Sequence, residues 1–205
     1  VDVIRILTKS LPSILLAAVI SSIFFWIYGS YNMFGLVGII LAFWIISNIL
    51  LTTIQQLIVK NKEVTQENIP KYSSGMIIAH LGVALLILGI TGSSIWQKEK
   101  IIRMKVNDET SIHNYNIIFK EISEVMGPNY VALQGNFWVY NNKKNIITKL
   151  KPENRFYPVT NNSTTEASIH ANLARDLYVV LGNGDVNEGW IVRIYYNPLV
   201  VWIWI

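Results

Sequence analysis

The sequence contains no cysteine, which removes disulfides, thiolate metal sites and thiol nucleophiles together. In an oxidising compartment such a chain cannot form stray disulfides with a thiol-bearing client. Charge is scarce as well: Asp, Glu, Lys and Arg make up 15% of the 205 residues while 52% are hydrophobic. Soluble domains carry about 25% charged residues, so a single water-soluble globule describes this chain poorly. Its apolar content excludes a disordered polypeptide, and no collagen-like or coiled-coil repeat is present. The formal net charge of +4 divides evenly, with five Lys and Arg against three acids in residues 1–97 and twelve against ten in residues 98–205. No basic block stands out, and nucleic acid is not an expected partner despite a pI near 9.2.

What is present falls into two unlike parts. Long apolar runs fill Leu11 to Trp96, whereas charges, Asn and alternating patterns return from Gln97 to Asn197. A hydrocarbon core of about 30 Å needs roughly 20 helical residues, and three runs meet that requirement, at about 11–28, 34–59 and 75–96. A fourth run opens at Pro198 and continues to Ile205, which reads as the start of a truncated fourth transmembrane helix and the whole chain as a fragment. The expected fold class is a multi-span α-helical membrane protein (residues 1–96) with a mostly antiparallel β periplasmic domain (residues 97–197). Orientation follows from short-loop charge. Arg5 and Lys9 precede the first span, Lys60, Lys62 and Lys71 lie between the second and third, and the Gly29–Met33 loop has none. The region after Trp96 is thereby assigned outside. A cleavable signal peptide is not expected, because the first apolar run is too long.

The third span carries a small-residue stripe, Gly75, Ala79, Gly82 and Gly89, suited to close approach of another helix. It also carries His80, the one ionisable side chain inside any span, and polar groups in hydrocarbon mark function by default. Two readings of His80 stand side by side: an interhelical hydrogen bond to a Ser, Asn or carbonyl, or an axial ligand to metal. These spans hold no second His, Cys or carboxylate, so a haem fits better than an isolated ion.

Beyond Trp96, strand-like runs cover Ile101–Val106, Ile112–Ile122, Tyr130–Tyr140, Asn145–Leu150, Leu177–Leu181 and Trp190–Tyr196. Turns are expected at Gly127-Pro128, Asn141-Asn142 and Gly182–Gly184. The string Ser163-Thr164-Thr165-Glu166 fits a capping box and predicts one short helix to about Ala174. No catalytic constellation is present: His113, in a strand-like run, and His170, in that helix, share no metal-site spacing and read as surface residues. Arg175, Asp176 and Glu166 read as a salt-bridged corner. Trp96, Trp190, Tyr195, Tyr196, Trp202 and Trp204 read as an interfacial aromatic belt, with Trp202 and Trp204 equally placed to wall a porphyrin.

Several strings occur in order: Gly75-Met76-Ile77-Ile78-Ala79-His80-Leu81-Gly82-Val83-Ala84, Gly127-Pro128-Asn129-Tyr130, Pro152 to Val159, Thr164-Thr165-Glu166-Ala167, Arg175-Asp176-Leu177-Tyr178, Gly189 to Arg193, and Trp202-Ile203-Trp204. Together they resemble the C-terminal portion of the CcmF family, the haem lyase subunit of the cytochrome c maturation system, over nearly the whole chain. The resemblance implies a multi-pass protein of the bacterial inner membrane, or the mitochondrial one. It would take haem from a periplasmic haem chaperone, help join it to the Cys-x-x-Cys-His motif of apocytochrome c, and work with other maturation subunits amid membrane lipid. It also implies that His80 is one of two transmembrane ligands of a resident, electron-carrying haem b, with the second ligand, two periplasmic haem-ligating histidines and a tryptophan-rich haem-handling segment upstream of Val1. No residue of this chain is expected to act as a catalytic nucleophile, and the fragment is not expected to be active alone. Arg155, Glu166 and Arg175 are the candidates for client docking, against an equal reading as a salt-bridged loop packed on the sheet. Two other function classes stay open: a non-catalytic membrane-anchored docking module for apocytochrome or chaperone, and, more weakly, a haem transporter.

Overall fold

The computed structural model describes residues 3–28, 32–62 and 73–204, with side chains over 10–26, 32–58 and 73–204. It divides into two compact units, residues 1–95 with 202–205, and residues 96–201.

The first unit holds helices α1 (Val3–Tyr28), α2 (Met33–Lys62) and α3 (Ser74–Ile95). Local caps set two of the starts. The Asn32 side chain accepts the amide of Phe34 at 2.9 Å, and the Ser73 hydroxyl accepts that of Met76 at 3.2 Å; each satisfies a first-turn donor that the helix itself cannot. Among the described residues two stretches are long and apolar enough to cross a membrane, Met33–Ile58 with 26 residues and Ser74–Ile95 with 22. At 1.5 Å per residue they span about 39 and 33 Å. In α1 the apolar stretch Ser10–Trp26 is shorter. The charges that set the expected orientation, Arg5, Lys9, Lys60, Lys62 and Lys71, lie outside the described side chains.

The small-residue stripe of α3 is divided: Gly89 is buried, while its earlier members are exposed. Gly75 and Gly82 face open space, with no atom within 4 Å of an added Cβ. Close approach is made instead by glycines of α2: a Cβ on Gly35 would run into Ile95, and one on Gly38 into Thr91. Between α1 and α2 the buried Ser13 hydroxyl donates to Asn48 Oδ1 at 3.0 Å. Apolar side chains elsewhere on these helices are widely exposed, for example Ile78 at 70% and Trp26 at 82%.

The second unit is an antiparallel β-sandwich. Its strands are β1 (Lys98–Met104), β2 (Glu109–Ile112), β3 (Tyr115–Met126), β4 (Val131–Asn141), β5 (Ile146–Leu150), β6 (Glu153–Tyr157), β7 (Asn162–Glu166), β8 (Ser168–Ala171), β9 (Arg175–Asp185) and β10 (Gly189–Pro198), followed by a 3-10 turn over Val200–Ile203. One sheet runs β1-β10-β9-β8 and the other β2-β3-β4-β6-β7, with β5 also on β4. Alternation builds the core. Leu177, Val179 and Leu181 of β9, with Val192 and Ile194 of β10, meet Ile117, Phe119, Phe137 and Val139 from the other sheet. Phe119 stacks on Phe137 at 4.5 Å and takes Trp190 edge-on at 5.8 Å. Trp190 is thus core rather than interfacial belt, at 4% exposure, and Trp96 is also buried, at 8%.

Three local expectations change. The capping-box string forms β7 and no helix follows it: Thr164 and Thr165 pair with Arg155 and Asn154 of β6, where β-branched side chains suit the pleat, and the Glu166 carboxylate turns to Arg155 rather than to a helix amide. Gly182–Gly184 lies inside β9, not in a turn. A Cβ on Gly184 would strike the backbone of Gly189 and Trp190, beside the register shift of β10 at Trp190/Val192, so the glycines mark a bulged strand pair. The turn falls one step later, where Asp185 Oδ1 accepts the amides of Asn187 and Glu188, each at 2.7 Å. Finally, His113 sits at a hairpin turn between β2 and β3 with φ 51°, not within a strand.

Candidate functional site

His80 lies on the exposed side of α3, and its Nδ1 is 2.8 Å from the carbonyl of Met76, one turn earlier on the same helix. A carbonyl only accepts, so Nδ1 carries the proton and the lone pair resides on Nε2. The hydrogen bond is therefore intrahelical, not a bridge to another helix. It fixes the tautomer and ring orientation in the manner that metal-binding imidazoles require. Around the ring, Trp44, Ile45, Asn48 and Ile49 of α2 join Met76 and Ile77 in lining a groove of about 220 Å³. Asn48 is already engaged, donating to the Trp44 carbonyl at 3.1 Å and accepting from Ser13. The Trp44 indole N–H is buried with no acceptor among the described residues. The groove thus presents one oriented imidazole among mostly apolar walls.

In the sandwich, Arg155 on β6 draws together strings that are distant in sequence. Its Nε donates to Glu153 Oε2 at 2.8 Å, and its Nη1 lies 3.6 Å from Glu166 Oε1 on the neighbouring strand. The guanidinium sits over the Tyr130 ring at 4.5 Å, and Tyr130 packs against Tyr157 at 5.5 Å. Gln134 of β4 donates to the other oxygen of Glu153 at 2.7 Å. The hydrogen bond from Arg155 holds the Glu153 carboxyl below its usual range, helped by Gln134, while burial opposes it; Arg155 is held still more firmly charged. Glu153 lies within the Pro152 to Val159 string but neither it nor Gln134 stands out as a site residue in sequence, and strand register exposes their part.

Arg175 does not join that network, and the expected corner with Glu166 is not formed. It is 3% exposed. Its Nε donates to the Tyr115 hydroxyl at 2.9 Å, and its Nη1 reaches both His170 Nδ1 and the His170 carbonyl at 2.8 Å. His170 must therefore be neutral with its proton on Nε2, and burial, then Arg175, keeps its pKa low. A residue enclosed in this way cannot touch a client; it ties β8 and β9 to β3. His113 stacks on Tyr196 at 4.4 Å and is also held neutral by burial and by Lys98. Trp204 is 83% exposed. Among the described residues no three His, Cys, Asp or Glu converge as a metal site.

Residues 95–198 match the family model described as the CcmF C-terminal beta-sandwich. The chain belongs to the CcmF family. It is 41% identical over 130 residues to the cytochrome c-type biogenesis protein CcmF of Escherichia coli (strain K12), covering 63% of this chain and 20% of the relative. To the protein of the same name from Pseudomonas fluorescens it is 34% identical over 181 residues, 86% of this chain and 27% of the relative. A solved structure titled cytochrome c heme lyase CcmF superposes with a TM-score of 0.67 over 95% of this chain and 32% of that one, at 17% identity, and so shares the fold. The chain thus spans about a fifth to a quarter of the length of these curated CcmF relatives. Within the CcmF sandwich, the strings Gly127–Tyr130, Pro152–Val159 and Thr164–Ala167 meet at one place, the Arg155 network, because β6 pairs with both β4 and β7.

Proposed function

We propose that this chain is the C-terminal part of a haem lyase of cytochrome c maturation, a multi-pass inner-membrane protein whose sandwich faces the periplasm, and that His80 is an axial ligand of a haem b held by the helices. The observation that carries it is the imidazole whose Nδ1–H is committed to the Met76 carbonyl while Nε2 has no partner among the described residues. The groove fits the group in one further respect: its walls, Trp44, Ile45, Ile49, Met76 and Ile77, are mostly apolar, as a porphyrin requires. Bound haem would supply an electron-carrying iron. The chain's own contribution is to orient the His80 ring, to exclude water with Ile45, Ile49 and Ile77, and to bring no thiol of its own near client thiols that must stay reduced. Apocytochrome c and the haem chaperone would meet the sandwich, where Arg155 and Glu166 remain accessible, at 26% and 49% side-chain exposure.

The reading is tested on the full-length natural protein carrying His80→Ala. Pyridine hemochrome analysis of the purified variant is expected to show loss of haem b, with recovery of the spectrum on adding imidazole. Unchanged haem stoichiometry would refute it.

A further inference from the structure

The chain enters and leaves the sandwich at one end of it. Only Trp96 and Gln97 separate α3 from β1, and β10 closes at Pro198. Lys98 pairs with Tyr196, so entry and exit are neighbours in the ladder. The other sheet reaches the same end. His113 stacks on Tyr196 at 4.4 Å, and the Tyr115 ring lies 6.2 Å from that of Tyr196. Tyr115 in turn pairs with Asn141, the last residue of β4. The turn between β4 and β5 therefore stands at the end of the sandwich that is joined to the helices.

That turn is tightly made from an unusual choice of residues. The Asn141 amide donates to the Asn145 carbonyl at 3.0 Å, its carbonyl accepts from the Lys144 amide at 2.9 Å, and its Oδ1 accepts the amides of Lys143 and Asn145 at 2.9 and 3.0 Å. Lys144 has φ 59°, the left-handed conformation that glycine or asparagine adopts at least cost. The fold itself gains nothing from a lysine there, so its presence answers to something outside the turn. Charge is gathered as well. Residues 131–151 hold Lys143, Lys144, Lys149 and Lys151 and no Asp or Glu. Lys149 is spent over the Trp138 ring, at 4.4 Å. Lys143 and Lys144 are exposed at the tip and form no ion pair among the described residues. Directly after them, Ile146 and Ile147 are 49% and 38% exposed.

Lysines beside exposed isoleucines call for an occupant that is negative at its surface, apolar beneath and undemanding in direction. An acidic protein face is matched best by arginine forks, and the tip has none. An anionic bilayer meets all three requirements, with phosphates spread in a plane and acyl chains below them. The chain brings such a surface within reach, because Met33–Ile58 and Ser74–Ile95 are long and apolar enough to cross a membrane. We propose that the tip formed by Lys143, Lys144 and Ile146 docks on the anionic headgroups of the membrane that the helices cross, a lipid contact additional to the spans. The proposal depends on the multi-pass reading above and on neither its haem nor its client.

The test uses the full-length protein in nanodiscs of phosphatidylcholine, with or without phosphatidylglycerol as the anionic component. A bimane on Asn142→Cys, in a background without other cysteines, reports quenching by lipids that carry a nitroxide at the headgroup. Quenching is expected in the anionic discs and should weaken at high salt. Each lysine near such a surface is worth about fivefold in the contact equilibrium, so Lys143→Gln with Lys144→Gln should lower contact about thirtyfold. The corresponding pair of arginines should preserve it. Lys144→Gly removes the charge and relieves the backbone, so the melting temperature should hold or rise while contact falls about fivefold. Quenching that is equal in the two lipids, or unmoved by the double Gln variant, overturns the proposal. So does a double Gln variant that keeps its lipid contact but no longer binds apocytochrome c or the haem chaperone, which would make the tip a face for an acidic protein. Release of the protein from membranes by alkaline carbonate refutes the multi-pass reading and the proposal together, whereas integration without tip contact refutes the proposal alone.

Discussion

Replacing Arg175 by methionine separates a residue that holds the sandwich from one that docks a client. The guanidinium is 3% exposed and makes three hydrogen bonds, to the Tyr115 hydroxyl, His170 Nδ1 and the His170 carbonyl. It also covers the Tyr115 ring at 4.5 Å. Methionine preserves most of the volume but strands those acceptors, at about 1–3 kcal/mol for each one left without water. Relief of the guanidinium's own desolvation offsets part of this. The balance is a loss of about 2–4 kcal/mol, against about 5–15 kcal/mol for a whole domain. Lysine should rescue little, since one ammonium cannot fork between Tyr115 and His170. Pulse proteolysis of the full chain in urea, followed at the sandwich, should show the midpoint falling for both variants, with protein level and cytochrome c assembly declining together. A normal midpoint and abundance with impaired assembly would refute the burial argument and return Arg175 to the docking surface.

His170 and His113 both have lowered pKa values in the fold, so the unfolded chain binds protons more readily than the native one below about pH 6.5. Thermal stability of the sandwich should therefore decline from pH 6.5 downward and again below about 4.5, where Glu153 loses the charge that Arg155 favours; Asp176, raised by burial, works in the opposite sense in the acid range. Melts that stay level between pH 7 and 5 would contradict this. Gly184→Ala should cost about 1–3 kcal/mol because its Cβ meets backbone rather than a side chain, whereas Gly82→Ala, with nothing near, should leave helix stability within about 0.5 kcal/mol, both read from denaturation midpoints. An alkaline phosphatase fusion in the Asp185–Glu188 turn should be active and a cytoplasmic reporter there silent; the reverse would place the sandwich on the other side of the membrane.

Apolar runs revealed most of the strands because the core demands them. Ile117, Phe119, Phe137, Val139, Leu177, Val179 and Leu181 are fully buried and alternate with the half-buried Ile118, Trp138, Tyr178 and Val180, so β-branched and aromatic runs between turn residues marked the strands. Where the pattern failed, a long-range partner overrode a local signal. Ser163 to Glu166 has the side chains of a helix start, but Arg155 across the ladder claims Glu166, and the capping-box pattern does not extend to that strand. The Gly182–Gly184 signal was sound as a sign of unusual backbone. Its cause is the bulge of β10 pressed against it, which sequence cannot distinguish from a turn. In the helices, small residues did mark close approach, on the α2 side of the contact.

The candidate sites were legible to different degrees for the same reason. His80 stands out because an ionisable group in an apolar helix is rare, and its i−4 carbonyl is supplied by the helix whatever surrounds it; the hydrogen bond that orients its ring is local, so the sequence contains it. Arg155, Glu166 and Arg175 look alike as charged residues of one segment, yet register sends the first two to a shared accessible cluster and buries the third against an aromatic hydroxyl and a neutral histidine. That difference is set by which strand lies alongside, not by the residues themselves. It follows that charge alone could not have ranked them, and that substitution of Arg155 or Glu166 should act on client binding, where substitution of Arg175 acts on the fold that presents it.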